Sequence, residues 1–72
     1  MIKKDAALKK LGKHIKKIRN EKGISQVELA NSIGKDQQSI QRLEAGNINP
    51  SYYYLCEIAE GLEISIQEIF KF

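Results

Sequence analysis

Small and apolar residues between positions 26 and 45 are spaced in a way that constrains the fold more than any other feature. Ala30 lies midway along one amphipathic segment, and Gly34 lies at the break that follows it. Ile40 and Leu43 supply the apolar face of a second segment. Two short helices that cross over a tight turn need a small residue at their contact and a glycine at the corner. The spacing predicts a helix-turn-helix, whose second helix can enter a DNA major groove.

Length and composition limit what else the chain can be. Its 72 residues allow one domain over 1–72, which buries about 60% of the surface that the unfolded chain exposes. A single Cys cannot form an intramolecular disulfide, and one Cys with one His cannot build a common zinc site. There is no nucleophile–base pair and no apolar run long enough to span a membrane. We therefore expect a cytoplasmic protein that is not an enzyme, with no metal, cofactor, membrane or small-molecule ligand.

Positive charge is concentrated at the start of the chain. Residues 1–22 hold nine Lys or Arg against two acids, a balance of +7, whereas residues 23–72 hold three against seven, a balance of −4. A basic segment favours a polyanionic partner, although net charge alone is weak evidence for one. On a helical wheel, one apolar stripe is formed by Leu8, Leu11, Ile15 and Ile18. We interpret the opposite lysine face as solvated exterior rather than a specific DNA contact; it consists of Lys9, Lys10, Lys13, Lys16 and Lys17.

The breaks between apolar segments predict an all-α fold, a compact five-helix bundle. The first helix runs from about Asp5 to Lys22, and Gly12 within it indicates close approach by another backbone. Residue patterns also predict where the later helices begin. These are the capping boxes Ser25 with Glu28 and Ser65 with Glu68, the N-cap Asp36, and Asn49 followed by Pro50. The fourth helix is expected to bury Tyr52, Leu55, Cys56, Ile58, Ala59 and Leu62. The last is a short C-terminal helix over residues 65–71.

The third helix has two different sides. Ile40 and Leu43 point into the core. The opposite side carries no carboxylate and consists of Gln37, Gln38, Gln41, Arg42 and Ala45. Glutamine amides can pair with adenine N6 and N7, and arginine matches guanine O6 and N7. The alternative is an ordinary polar face, since Gln and Arg are good helix formers. The adjacent turn spacing favours DNA readout.

These residues resemble the phage-repressor/Cro-like helix-turn-helix family, also called the XRE family. The motif is matched by Gln26, Ala30, Gly34, Ile40, Leu43, Glu44, Gly46 and Pro50. The run QQSIQRLEAG is similar to recognition helices of lambdoid phage repressors, and the ending ISIQEIF is similar to the family's closing helix. The resemblance extends from about Leu8 to Phe70 and implies a lambda-repressor-like DNA-binding domain.

The resemblance also implies roles for individual side chains. Gln37, Gln38 and Arg42 would read bases, Gln41 and Ser39 would contact bases or backbone, and Gln26 would bind a phosphate. Asn47, in the loop after Gly46, has an amide and a backbone N–H to offer to phosphate. Arg19 and Glu44 match a family ion pair that ties the first helix to the third. The wheel agrees, because Arg19 lies on the shoulder of the apolar stripe, where a guanidinium needs a carboxylate. The alternative is a surface arginine with no fixed partner.

Two places depart from the family pattern. Tyrosines occupy positions 52–54, where aliphatic and polar residues are usual, and Glu63 stands where a glycine is frequent. Tyr53 points outward, either to donate its hydroxyl to a phosphate or simply as an exposed aromatic residue. Near the C-terminus lies an apolar cluster that a body of this size cannot fully cover. We expect it to form a dimer interface through Ile66, Ile69, Phe70 and Phe72.

These features predict a sequence-specific transcriptional regulator that binds a palindromic operator on double-stranded DNA as a homodimer, through the major groove. The profile resembles small phage-type repressors and the controller proteins of restriction-modification systems. An alternative from another class is an antitoxin, an interaction protein that binds a toxin and represses its own operon. Most antitoxins need an added helix, strand or disordered segment for the toxin, and this chain ends at Phe72 with little to spare.

Overall fold

Five helices and no strands make up the fold. The computed structural model describes residues 1–72, and its helices are α1 (Lys4–Glu21), α2 (Gln26–Ser32), α3 (Gln37–Glu44), α4 (Tyr52–Leu62) and α5 (Ile66–Ile69). The Cα radius of gyration is 11.2 Å, which is the value expected of a compact domain of this length. The predicted all-α, five-helix architecture is confirmed. None of the helices combines the length and apolar character needed to cross a lipid bilayer.

The N-termini of α2 and α3 are capped by the side chains that the sequence predicts. The Ser25 hydroxyl accepts from the Glu28 N–H at 3.0 Å, and the Glu28 carboxylate accepts from the Ser25 N–H at 2.9 Å, which completes a capping box. The Asp36 carboxylate accepts from the Ser39 N–H at 2.8 Å. A cap of this kind contributes about 1 kcal/mol. Both predicted caps are confirmed, and Asp36 determines where α3 begins.

The start of α4 differs from the prediction. Its N-cap is Ser51, whose hydroxyl accepts from the Tyr54 N–H at 3.0 Å. Serine caps a helix as well as asparagine does, so Ser51 replaces Asn49 in this role and Pro50 lies before the helix rather than at its first position. Tyr52 then falls in the first turn, at the edge of the body, and is 65% exposed. The prediction that Tyr52 joins the core is wrong.

The start of α5 also differs from the prediction. Ser65 is its N-cap, but the serine side chain makes no capping hydrogen bond. The Glu68 carboxylate, predicted to complete a capping box, accepts instead from Lys71 Nζ at 3.0 Å. The helix spans Ile66–Ile69 and is shorter than the predicted 65–71 segment.

All five helices contribute to one apolar core. Its ten buried residues are Ile15, Leu29, Ala30, Ile40, Leu43, Leu55, Ile58, Ala59, Leu62 and Ile69. Cys56 is only half-buried, because the inward stripe of α4 passes beside it. Ile69 anchors α5 to the rest of the molecule, since it is the one fully buried side chain of that short helix.

Two glycines position α3 within this body. Gly12 is buried in α1, where a Cβ atom would overlap the carbonyl oxygens of Leu43 and Glu44 at the end of α3. The close approach of two backbones predicted at Gly12 is therefore confirmed. Gly34 has a φ of +68°, the left-handed conformation predicted for the corner between α2 and α3. With the close approach at Gly12 and the left-handed corner at Gly34, α3 lies against α1 and keeps its other side in solvent.

Candidate nucleic-acid interface

One side of α3 is buried and the other is exposed, as its pattern predicts. Ile40 and Leu43 are buried in the core, and so is Glu44, the only carboxylate of this helix. The exposed side chains, which we call the α3 outer face, are Gln37, Gln38, Gln41 and Arg42. This face presents amides and one guanidinium, the groups that pair with base edges and phosphate oxygens.

Part of the α3 outer face borders a shallow cleft. The cleft has a volume of about 290 Å³ and is lined by Gln38, Gln41, Arg42, Ala45 and Asn47. The Asn47 backbone N–H donates to the Arg42 carbonyl at 2.9 Å. The backbone N–H of Asn47 is therefore already hydrogen-bonded. The side-chain amide is the group of Asn47 that remains available to a phosphate. Ser39 is half-buried, and its N–H is occupied by the Asp36 cap.

A buried ion pair holds α3 against α1. Arg19 Nε donates to Glu44 Oε2 at 2.6 Å, and a second guanidinium nitrogen donates to Oε1 at 2.9 Å. The remaining nitrogen donates to the Ile24 carbonyl at 2.8 Å. Both side chains are almost fully buried, with Arg19 6% and Glu44 8% exposed. The hydrogen bond to Glu44 raises the pKa of Arg19 above its usual value, although burial opposes that shift.

The same carboxylate orients a chain of two amides. Gln26 Nε2 donates to Glu44 Oε1 at 3.0 Å, so the oxygen of the Gln26 amide faces away from Glu44. That oxygen accepts from Gln37 Nε2 at 3.4 Å. An ionised carboxylate can only accept hydrogen bonds, which settles which end of the Gln26 amide points toward it. The buried ion pair is thereby connected to the first residue of the α3 outer face.

Sequence reasoning missed this link between Gln26 and Glu44. The two residues are 18 positions apart, and neither helix carries a local signal of the contact. A hint was nevertheless present, because a buried carboxylate has more acceptor capacity than one arginine fills. The family resemblance assigned the Gln26 amide to a phosphate, so Gln26 was not considered as the further donor to Glu44.

Tyr53 is separate from this arrangement. It lies near the start of α4 with its side chain exposed, and it does not line the cleft beside the α3 outer face. A phosphate contact and a plain exposed aromatic residue both remain predictions for this position.

The predicted dimer residues divide into buried and exposed members. Ile69 is 0% exposed and belongs to the core, so its side chain is not available to a partner, and its assignment to a dimer interface is wrong. Ile66 is half-buried against the core. Phe70 and Phe72 are 49% and 62% exposed. The Phe72 ring packs beside His14, with ring centroids 5.1 Å apart.

Comparison with known proteins identifies the family. A helix-turn-helix family model, HTH_3, matches residues 15–69, which include all of α2 and α3. The chain belongs to this helix-turn-helix family. It is a helix-turn-helix transcriptional regulator of the XRE type, in agreement with the resemblance seen in the sequence. The family is one of DNA-binding regulators and is not an enzyme class.

Individual members of the family match most of the chain. An uncharacterised HTH-type transcriptional regulator, y4dJ of Sinorhizobium fredii, is 36% identical over 61 residues, which cover 85% of this chain and 79% of that protein. The restriction-modification controller protein C.AhdI from Aeromonas hydrophila superimposes with a TM-score of 0.87 at 34% identity, over 90% of this chain and 98% of its own. The controller protein C.Esp1396I, solved as a tetramer with its natural 35-base-pair operator, gives a TM-score of 0.77 at 38% identity, over 89% and 95% of the two chains.

Proposed function

We propose that this protein is a sequence-specific regulator that binds a palindromic operator as a homodimer, with α3 in the major groove. The α3 outer face is the observation that carries the proposal. It is a continuous exposed surface of three amides and one guanidinium, and the one carboxylate of the helix is turned into the core. The operator complex of C.Esp1396I supports DNA as the partner of a chain with this fold.

Base readout belongs to the N-terminal part of α3. In helix-turn-helix docking, the first residues of the second helix reach the base edges, and Gln37 and Gln38 are the first two residues of α3. Arg42 follows one turn later on the same exposed side and is suited to guanine O6 and N7. Gln41 lies between them and contacts either a base or the adjacent backbone.

Phosphate contacts belong to Gln26 and Asn47. The Gln26 amide uses one N–H for Glu44 and has a second N–H to donate. The Asn47 side-chain amide borders the cleft beside Arg42. These contacts flank the α3 outer face and would fix its register on the duplex, while the α3 side chains supply the sequence preference.

A homodimer would place two copies of α3 on successive turns of DNA. The exposed rings of Phe70 and Phe72 at the end of the chain provide apolar surface for a twofold contact. A dimer that binds neighbouring major grooves has its two recognition helices about 34–36 Å apart, which corresponds to half-sites about 10 base pairs centre to centre. The tetrameric state of operator-bound C.Esp1396I supports assembly on DNA.

Selection of bound duplexes from random DNA tests this function. The wild-type chain is expected to enrich a palindrome with half-sites about 10 base pairs apart. The variant Arg42→Ala is expected to lose about 1–3 kcal/mol of discrimination at one base pair in each half-site. Enrichment of no sequence by the wild-type chain would contradict the proposal. A selected site without twofold symmetry would contradict its homodimer part.

A further inference from the structure

We propose that Lys4 and Lys9, at the N-terminal end of α1, bind a DNA phosphate beyond the C-terminal end of α3. This phosphate element lies outside the helix-turn-helix unit and extends the interface past the α3 outer face. The inference rests on the proposed DNA-binding function.

The first observation is a backbone contact between α1 and the turn that ends α3. A Cβ atom on Gly46 would lie 2.8 Å from the Cα, N and Cγ atoms of Lys9. Gly46 itself has a φ of +74°, so a residue with a side chain is excluded there by both space and conformation. The Lys9 side chain consequently starts directly beside the end of the recognition helix.

The second observation is a polar cleft at this junction. It has a volume of about 350 Å³, and its lining includes Lys4, Lys9, Asn47 and Asn49. Asn47 also lines the cleft beside Gln38 and Arg42, so the two clefts adjoin at this residue. A DNA strand that follows the α3 outer face past Asn47 therefore comes next to the two lysines.

The charges in this cleft favour an anion. Both lysines are exposed and neither takes part in an ion pair. Asp5 is the only carboxylate that lines the cleft, so its formal balance is +1. The last carbonyls of α3 carry partial negative charge that would repel a phosphate. The two lysines that line the same cleft oppose this repulsion, and a lysine needs no fixed direction to meet a phosphate oxygen.

Position separates Lys4 and Lys9 from lysines farther along α1. Lys13 and Lys17 line a different cleft, together with His14 and Phe72, and Lys16 lines none. Lys16 thus fits the interpretation of the lysine face as solvated exterior. Lys9, in contrast, lies beside Gly46 at the end of α3. Lys16 is an exposed lysine of the same helix and supplies a matched control.

The salt dependence of DNA binding tests the assignment. The probe is the duplex that the wild-type chain selects from random DNA, titrated from low to physiological salt. Each ionic phosphate contact contributes about 0.9 to the magnitude of the slope of log K against log salt concentration. Per bound chain, Lys4→Gln with Lys9→Gln is expected to lower that magnitude by about 0.9, the value for one phosphate, and Lys9→Gln alone is expected to lower it by part of that amount. Lys16→Gln should leave the slope at its wild-type value, and Lys9→Arg should retain it.

Substitution of Asp5 should change the DNA affinity in the opposite direction. Because Asp5 lines the same cleft and carries a negative charge, Asp5→Asn is expected to bind the selected duplex more tightly than the wild-type chain. Equal slopes for the wild-type chain, Lys9→Gln and Lys16→Gln would overturn the assignment while leaving the proposed function intact. Lys9 would then only support the end of α3. Failure of the wild-type chain to select any duplex would instead contradict the proposed function itself. Circular dichroism of each variant establishes that the helices are retained.

Discussion

Arg19 and Glu44 form a buried ion pair with two parallel hydrogen bonds, of 2.6 Å and 2.9 Å, between α1 and α3. Glu44 is the last residue of α3, and its carboxylate also accepts a hydrogen bond from the Gln26 amide at the start of α2. One buried acid therefore joins three helices and orients the amide that contacts Gln37. Such a pair contributes more to the placement of α3 than to net stability, because burial of both charges is costly.

Removal of one partner should be far more harmful than removal of both. Arg19→Met leaves the Glu44 carboxylate buried without its cation, and we expect a loss of about 3–5 kcal/mol in the free energy of unfolding. The double variant Arg19→Met with Glu44→Leu should recover most of that loss, because no buried charge remains. Urea denaturation of the wild-type chain, both single variants and the double variant measures the coupling. If the losses in the two single variants add up to the loss in the double variant, Arg19 and Glu44 are not coupled, which would contradict the ion pair seen in the structure.

Glu63 has a left-handed backbone that a glycine would adopt more easily. It is the C-cap of α4, with φ 58° and ψ 43°, and the only non-glycine residue with a positive φ. This explains why a glycine is frequent at the position in the family resemblance. Glu63→Gly should stabilise the fold by about 0.5–1 kcal/mol, since the relief of strain exceeds the entropy that glycine adds to the unfolded chain.

Gly34 provides the matched control for this change. Its φ is +68°, and a Cβ atom there would meet nothing within 4 Å. Gly34→Ala should therefore destabilise the fold through backbone strain alone, by about 1 kcal/mol or more. Chemical denaturation gives both values. The same sign of effect for Glu63→Gly and Gly34→Ala would contradict this explanation.

The Tyr54 hydroxyl is buried and has no hydrogen-bond partner. Tyr54→Phe removes a desolvated polar group and keeps the ring, over which Lys35 Nζ lies 5.7 Å from the centroid. We expect the free energy of unfolding to stay unchanged or to rise by up to about 1 kcal/mol. Tyr53→Phe, at an exposed position, should have no effect. A loss above about 1 kcal/mol in Tyr54→Phe would indicate a hydrogen bond that this arrangement lacks.

Tyr54 should also make the free energy of unfolding depend on pH in the alkaline range. Burial raises the pKa of Tyr54 above its ordinary value, and the carboxylates of Glu57 and Asp36 act in the same direction. The folded chain therefore holds this proton more tightly than the unfolded chain does. The resulting stability is complete below the unfolded-state pKa of about 10 and is lost as the pH rises through the folded-state pKa. Urea midpoints measured on both sides of about pH 10 should fall less in Tyr54→Phe than in the wild-type chain, and equal falls would exclude this role.

Local signals allowed much of the fold to be predicted from the sequence. The Ser25 and Asp36 caps and the Gly34 corner depend on residues within a few positions of each other, so their pattern is visible in the chain. The start of α4 was missed because Asn49 and Ser51 are both good caps, and only the packed structure selects between them. Burial of Ile69 was missed for a related reason, since a wheel cannot tell which side of a one-turn helix meets the body.

The candidate site was only partly predictable. The composition of the α3 outer face follows from helical periodicity, which places Gln37, Gln38, Gln41 and Arg42 away from the core. The contact of Gln26 with Glu44 and the approach of Lys9 to Gly46 join residues far apart in the chain. No periodicity within one helix specifies such contacts. They depend on how the helices cross.

Dimer formation should depend on the exposed phenylalanines rather than on Ile69. Phe70→Asp and Phe72→Asp place a charge on surface that would be buried between two copies, so each should shift the chain toward monomer while it stays folded. Tyr53 is an aromatic residue on α4 that is more exposed than either phenylalanine, and Tyr53→Asp should leave the association unchanged. Sedimentation without DNA measures this difference. A wild-type chain that remains monomeric at high concentration, and binds its operator one copy at a time, would contradict the proposed homodimer.

Base selection by the α3 outer face distinguishes a sequence-specific regulator from a non-specific DNA-binding protein, and a comparison of two duplexes measures it. The duplex selected by the wild-type chain is titrated, together with a scrambled duplex of equal length, against the triple variant Gln37→Ala, Gln38→Ala and Arg42→Ala. A control variant combines Lys16→Ala with Gln67→Ala, which are exposed on α1 and α5. Circular dichroism must show that both variants are folded. We predict that the triple variant binds the two duplexes equally, with only salt-sensitive non-specific affinity, whereas the control keeps the wild-type preference. A folded triple variant that still prefers the selected duplex by the wild-type ratio would contradict the account.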